Sequence, residues 1–320
     1  MIQYIIKRVL KMIPIMFILS IIFFVIVNLT PGDFVDTKAN PNMSAEKVQE
    51  LKEIYGFDKP VPVRYINWAK KAILMDFGDS LKYKEPVSKV LGDYVWNSFY
   101  LAFVSFILCL IISIPIGIIS AVKQYSKFDK TFTILTFIGI SLPSFFIALV
   151  SINIFSLKLG ILPVAGMSTA GTNYTGMAKF MDLLKHMFLP VATLTILNIG
   201  NYIRYVRTSM LEVIRQDYIR TARAKGLKEK VVIYKHALRN GLIPIITYIG
   251  LTIPSLFAGA IITETIFVWP GIGKVGYDAI VNRDYTLVMG FNMFMGILTL
   301  IGNLLSDVLY AVVDPRIRLK

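Results

Sequence analysis

The sequence predicts an all-α integral membrane protein with six transmembrane helices and a polar insertion after the first. Three observations lead there. Of 320 residues, 55% are hydrophobic and only 17% charged, whereas a water-facing domain carries about 25% charged residues. The apolar residues fall in long blocks with the charges between them, and six blocks approach the ~20 residues a helix needs to cross the hydrocarbon core. The net charge of +14 gathers at the block ends, with no basic stripe interleaved with aromatics. That distribution points to a membrane and away from nucleic acid.

Taken in order, the first span is Val9 to Leu29. Lys7, Arg8 and Lys11 precede it, as in a signal peptide, but Thr30-Pro31-Gly32-Asp33 follows where a small-x-small cleavage site would stand, so an uncleaved span is expected. The stretch 31–94 is too polar to cross lipid and reads as a small surface subdomain. Within it, Ser44 to Ile54 has the pattern of an amphipathic helix with Ser44 as N-cap and Glu46 in its first turn. Pro60 and Pro62 interrupt the pattern, and Val63 to Met75 predicts a second helix. The remaining spans are Phe99 to Val122, Phe132 to Phe155, Met187 to Tyr205, Leu242 to Ile262 and Thr286 to Val312. The fourth carries the weakest signal, because Pro190, Asn198 and Asn201 interrupt it.

Six spans place both termini on one side. That side collects Lys7, Arg8 and Lys11; Lys123, Lys127 and Lys130; ten basic residues from Arg204 to Arg239; and Arg316, Arg318 and Lys320. On the other side, the long stretch balances ten basic against ten acidic residues, and the two shorter connections hold three and two basic residues. The positive-inside rule therefore predicts cytoplasmic termini and an extracytoplasmic insertion.

Within the spans, Pro115, Gly117, Gly139, Pro143, Pro190, Gly250, Pro254 and Gly259 read either as ordinary membrane-helix composition or as kinks and close contacts around a path. Asn198, Asn201, Asn292 and Asn303 are more specific, since an amide facing lipid would stay unpaired. They are expected to face the protein interior or a watery translocation path, in packing hydrogen bonds or in substrate contact alike.

The sequence offers no catalytic machinery. One cysteine, Cys109, sits within an apolar block and two histidines stand apart, so no metal-ligand cluster or triad is present in the pattern. Gly271-Ile272-Gly273-Lys274-Val275-Gly276 lacks the Gly-Lys-Ser/Thr ending of a phosphate loop and reads as a turn between the last two spans. No enzymatic reaction and no cofactor are expected in this chain.

The most informative region is RYVRTSMLEVIRQDYIRTARAKGLKEKVVIYKHALRNG, Arg204 to Gly241. Thr208 to Lys225 has helical character with Leu211, Ile214, Tyr218, Ile219 and Ala222 as an interrupted apolar stripe. Gly226 permits a sharp turn, Lys228 to Arg239 reads as a second short helix, and Gly241 and Pro244 mark the return into the bilayer. Such an elbow reads either as a basic segment lying on anionic lipid or as a docking element for a cytoplasmic partner.

With Asn28-Leu29-Thr30-Pro31-Gly32-Asp33, Asp76-Phe77-Gly78-Asp79-Ser80-Leu81, Ser209-Met210-Leu211-Glu212-Val213, Gln216 to Gly226, His236-Ala237-Leu238-Arg239-Asn240, Glu264-Thr265-Ile266-Phe267, Trp269-Pro270-Gly271-Ile272-Gly273 and Asp314-Pro315-Arg316 in this order, the chain resembles, nearly end to end, the dipeptide/oligopeptide permease family of binding-protein-dependent ABC importers, in its first-subunit branch. The general permease signature begins with glutamate and two alanines, where this chain has Arg220, Thr221 and Ala222. It also ends in leucine-proline, where this chain has Leu238-Arg239. That variant is typical of the peptide branch.

The resemblance implies a type I importer permease fold forming a single domain, 1–320, in a bacterial or archaeal cell (inner) membrane. It implies a homologous second permease, two cytoplasmic ATPase subunits holding ATP and Mg, and an extracytoplasmic peptide-binding protein. It also implies a coupling loop, 206–241, whose short helix sits in a groove of an ATPase subunit, with Tyr218, Arg220, Thr221, Ala222, Arg223, Gly226 and His236 carrying the contact. Di- and oligopeptides are the expected cargo. Nickel or another small solute on the same machinery is the alternative, and an ion-coupled secondary transporter a more distant one, since no internal repeat is visible and Asp307 is the only acidic residue well inside a span. Glu264 could meet a peptide amine, but a structural role is the stronger reading.

Overall fold

The computed structural model describes residues 2–29, Gly32, Val35, 43–54 and 56–313. Within these the chain forms helices α1 (Ile2–Leu29), α2 (Ala45–Ile54), α3 (Val61–Ala72), α4 (Val87–Val122), α5 (Lys127–Ser141), α6 (Ser144–Lys158), α7 (Gly176–Ile214), α8 (Asp217–Ala224), α9 (Glu229–Phe257), α10 (Ile261–Ile266), α11 (Ile272–Val281) and α12 (Tyr285–Val313). Among the described residues no strand forms. Asp314-Pro315-Arg316 and Thr30, Pro31 and Asp33 lie outside the described residues.

Five helices, α1, α4, α7, α9 and α12, are long and apolar enough to cross a membrane, and α5 with α6 makes a sixth only as a bent pair. The third predicted span is therefore not straight. Pro143 disfavours helical backbone at Leu142, which adopts φ −79°, ψ 131°, and α6 leaves at 99° to α5. The fourth span, weakest in the sequence, lies in the longest helix, of 39 residues. Its asparagines do not interrupt it: Asn198 Nδ2 donates to the Leu194 carbonyl of its own preceding turn at 2.8 Å. The helix of the second span starts at Val87, inside the stretch 31–94. Two further expectations are corrected around the elbow. Thr208 to Lys225 is not one helix, because the backbone extends at Gln216 (ψ 150°) between α7 and α8. Nor does a second short helix end before Gly241, because α9 runs on through Pro244 to Phe257.

Two long helices organise the bundle. α4 and α7 run parallel, as the successive contacts show. Leu101 clusters with Met187 and Val191, Phe106 and Cys109 with Tyr202, and Ile118 and Ala121 with Val206 and Met210. One buried hydroxyl pair joins them, Ser105 Oγ lying 3.1 Å from Thr195 Oγ1. At its start α4 packs with Phe77, α11 and the first turns of α12. At its other end it packs with α8 and α9. Thirty-six residues at ~1.5 Å each make α4 roughly 50 Å long, so the insertion and the elbow lie at opposite ends of the molecule. α3 lies against α1, where Tyr65 OH and Ser20 Oγ are 2.9 Å apart and Phe24 meets Tyr65 edge to face.

Candidate functional site

The elbow is built on a buried cluster. Ile219 and Ala222, three residues apart on one face of α8, pack against Ile118 and Ala121 of α4, Val206 and Met210 of α7, and Val232, Ile233 and Ala237 of α9. The other faces of this eight-residue helix stay outside: Tyr218, Arg220, Thr221 and Arg223 are exposed. The anchor is thus Ile219, which is wholly buried, while Tyr218 is 42% exposed. Ala222, also buried, is part of the seat and not of the outer surface. His236 is half-buried in the wide turn Val232–Ala237 near the start of α9.

Gly226 closes the turn at φ +74°, a conformation costly for any residue with a Cβ. No neighbouring atom lies within 4 Å of where that Cβ would stand, so backbone conformation alone selects glycine here. Across the turn Arg223 grips Glu229 with two hydrogen bonds, of 3.2 and 2.8 Å. The Glu229 hydrogen bond lifts the Arg223 guanidinium above its ordinary pKa. The elbow is a preset bracket, apolar inward and mostly cationic outward. That arrangement suits a docking surface which transmits movement and performs no acid–base chemistry.

About 230 Å³ of cavity opens farther up the bundle between α4, α7, the end of α9 and α10, with Ser98, Ser105, Asn198, Thr252, Ser255 and Glu264 as its polar lining. Asn198 is thus the one path candidate brought here. Asn201 lines a separate cavity nearer the elbow and accepts from Arg204 at 3.2 Å. Asn292 bonds the Val288 carbonyl on its own helix, and it and Asn303, both on α12, line neither cavity.

Glu264 is 1% exposed and fully engaged by the protein. It accepts from Ser98 Oγ (2.6 Å), Ala260 N (2.9 Å) and Lys274 N (3.0 Å). Ser98 in turn accepts from Ile272 N at 2.8 Å. Two first-turn amides of α11, which no helical carbonyl can reach, are satisfied by α4 and α10. The Gly271 backbone lies so close that a Cβ there would overlap the Glu264 carboxyl and Ser98 Oγ. The Trp-Pro-Gly-Ile-Gly segment is therefore a seat for a carboxyl group.

Three polar arrangements were not legible in the sequence. Asp284, wholly buried, caps α12 through Leu287 N and also accepts from Ser80 Oγ (2.6 Å) and Lys82 N (2.9 Å). Asp278 accepts from Lys82 and Lys274, both at 3.0 Å. Burial raises its pKa, but the two lysines prevail and hold it below the usual carboxylate value. Asp129, 3% exposed, pairs with Arg207 through two bonds of 2.7 and 2.9 Å. The signal available for the last was Ser126 three residues before Asp129, a helix-start pattern. Nothing local marked the partners 78 to 204 residues away. Among the described residues no group of three or more His, Cys, Asp or Glu could hold a metal ion.

Residues 113–319 match the family described as binding-protein-dependent transport system inner membrane component, and residues 1–95 match the N-terminal component of the same system. The oligopeptide transport system permease protein AppB of Bacillus subtilis is 42% identical over 318 residues, 99% of each chain. The dipeptide transport system permease proteins DppB of Alkalihalophilus pseudofirmus and Escherichia coli are 37% identical (99% of this chain, 100% of the relative) and 36% identical (100% of both). Among solved structures, a chain of the MetNI methionine ABC transporter superposes with TM-score 0.53 at 19% identity, covering 71% of this chain and 97% of the other. That superposition establishes the fold.

Proposed function

The chain belongs to the family of binding-protein-dependent transport system inner membrane components, and from that membership we propose that it is one of two homologous permease subunits of an ATP-driven importer of di- and oligopeptides. It is a multi-pass membrane protein with a transport role and no reaction of its own. Two ATPase subunits holding ATP and Mg dock at the α8 end, which is cytoplasmic together with both termini. An extracytoplasmic peptide-binding protein delivers cargo at the insertion end, and the assembly sits in the bacterial or archaeal cell (inner) membrane. The names of full-length relatives favour peptides over nickel or another small solute. The basic balance of the loops supports the orientation.

One observation carries the coupling role: α8 is fixed to three spans by Ile219 and Ala222 while it turns Tyr218, Arg220, Thr221 and Arg223 outward. A rigid bracket of this kind converts displacement of a docked subunit into displacement of α4, α7 and α9. Asn198 and the cavity beside Glu264 are candidates for the path.

Gly226→Val tests the coupling. A Cβ at this position has no neighbour within 4 Å, so the strain falls on the turn, by roughly 1–3 kcal/mol. Complex yield should hold while reconstituted peptide uptake falls several-fold relative to ATP hydrolysis. Wild-type uptake at matched yield would overturn the coupling role, and purification without ATPase subunits would overturn the importer assignment.

A further inference from the structure

A third cavity, of about 270 Å³, lies between α4, α5 and α7 near their elbow end. Its polar lining is Ser120, Thr133, Thr136, Arg204, Arg207 and Thr208. Ser120 stands two residues before the end of α4 and is 1% exposed, and its hydroxyl has no hydrogen-bond partner. Buried hydroxyls are almost always bonded to protein, water or ligand.

The donors outnumber what the protein uses. Arg207 spends two of its five N–H groups on Asp129, and Arg204 makes one bond, to Asn201. Asp129 is the carboxylate facing this group from α5. Glu212, farther along α7, lines the separate cavity that Arg204 also borders. Two guanidinium charges against one carboxylate leave the site net positive. It is a place for an acceptor-rich anion, and phosphate oxygens fit arginine and hydroxyl donors.

The remaining wall is apolar. Phe137 and Ile140 line the cavity yet are 59% and 41% exposed, so the site continues onto the outer apolar surface of α5. A polar, basic recess that opens on an exposed apolar surface near the end of the spans suits an amphiphile. We infer that this cavity binds the phosphodiester headgroup of an anionic phospholipid from the leaflet at the elbow end, with its chains lying along α5.

The test uses the full chain with its copurifying subunits, delipidated in detergent and examined by native mass spectrometry. Equimolar phosphatidylglycerol and phosphatidylcholine are offered, with inorganic phosphate as a third arm. Phosphatidylglycerol should be retained about tenfold over phosphatidylcholine, and phosphate at millimolar concentration should not displace it. Ser120→Ala removes the unpaired hydroxyl without adding bulk, and Arg204→Gln removes one charge. Each should lower phosphatidylglycerol retention about tenfold, the effect of one charge-assisted hydrogen bond. Equal retention of both lipids, or full retention in whichever of the two variants folds, would overturn the inference. Displacement by phosphate would show a free-phosphate site and overturn the lipid assignment.

Discussion

At Glu264 a single carboxyl joins three elements, accepting from Ser98 on α4, Ala260 at the start of α10 and Lys274 in the first turn of α11. Glutamine keeps the shape but presents one NH₂ group to these donors. Either the Lys274 amide or the Ala260–Ser98 pair then loses its acceptor. A buried donor left unpaired costs about 1–3 kcal/mol, so Glu264→Gln should lower the unfolding temperature of the purified chain measurably. An unchanged transition would show that Glu264 does not hold the α10–α11 hairpin to α4. The composition of this segment follows from the same contact, since Gly271 is the residue that lets the backbone approach the carboxyl.

Among the elements, α8 separates stability from surface. Ile219 is wholly buried and Tyr218, its neighbour, is 42% exposed. Ile219→Ala leaves a cavity and should destabilise by about 2–5 kcal/mol, whereas Tyr218→Ala should stay within about 0.5 kcal/mol. If the outward face docks an ATPase subunit, Tyr218→Ala should nonetheless reduce ATPase copurification or coupled uptake, because aromatic residues often anchor interfaces. Thermal unfolding beside uptake of the two variants checks both halves. A Tyr218 variant that melts normally and couples normally would remove that side chain from the docking surface. The apolar stripe on Thr208 to Lys225 was visible in the sequence, but the break at Arg215-Gln216 was not. It was the break that turned Ile219 inward and Tyr218 outward.

Across the whole molecule, polar ties join distant segments: Arg8 and Tyr4 to Asp307 at one end of α1, and Ser80 and Lys82 to Asp284 and Asp278 at the other. Asp278 supplies a pH dependence. Its folded pKa lies below the ordinary carboxylate value, so its stabilisation is fully present above about pH 4 and is lost as pH falls through the depressed folded value. The difference in unfolding temperature between wild type and Asp278→Asn should be constant from neutral pH to about pH 4.5 and shrink below about pH 4. A difference that grows on acidification would reverse the assigned sign.

The sequence by itself determined the class of molecule, the approximate placement of its apolar spans and the place of the elbow. These rest on local quantities, namely runs of apolar residues, charges at their ends and a glycine at a turn, and each is readable within a window of some twenty residues. Tertiary structure alone decided that the third span is sharply bent, that Glu264 and Asp284 are satisfied acceptors, and that Asn198 reaches a cavity which Asn292 and Asn303 do not line. In a bilayer most apolar side chains can face either lipid or protein at similar cost, so hydropathy does not tell which face of a helix packs inward. Only the contacts between helices far apart in the chain settle which polar group meets which partner.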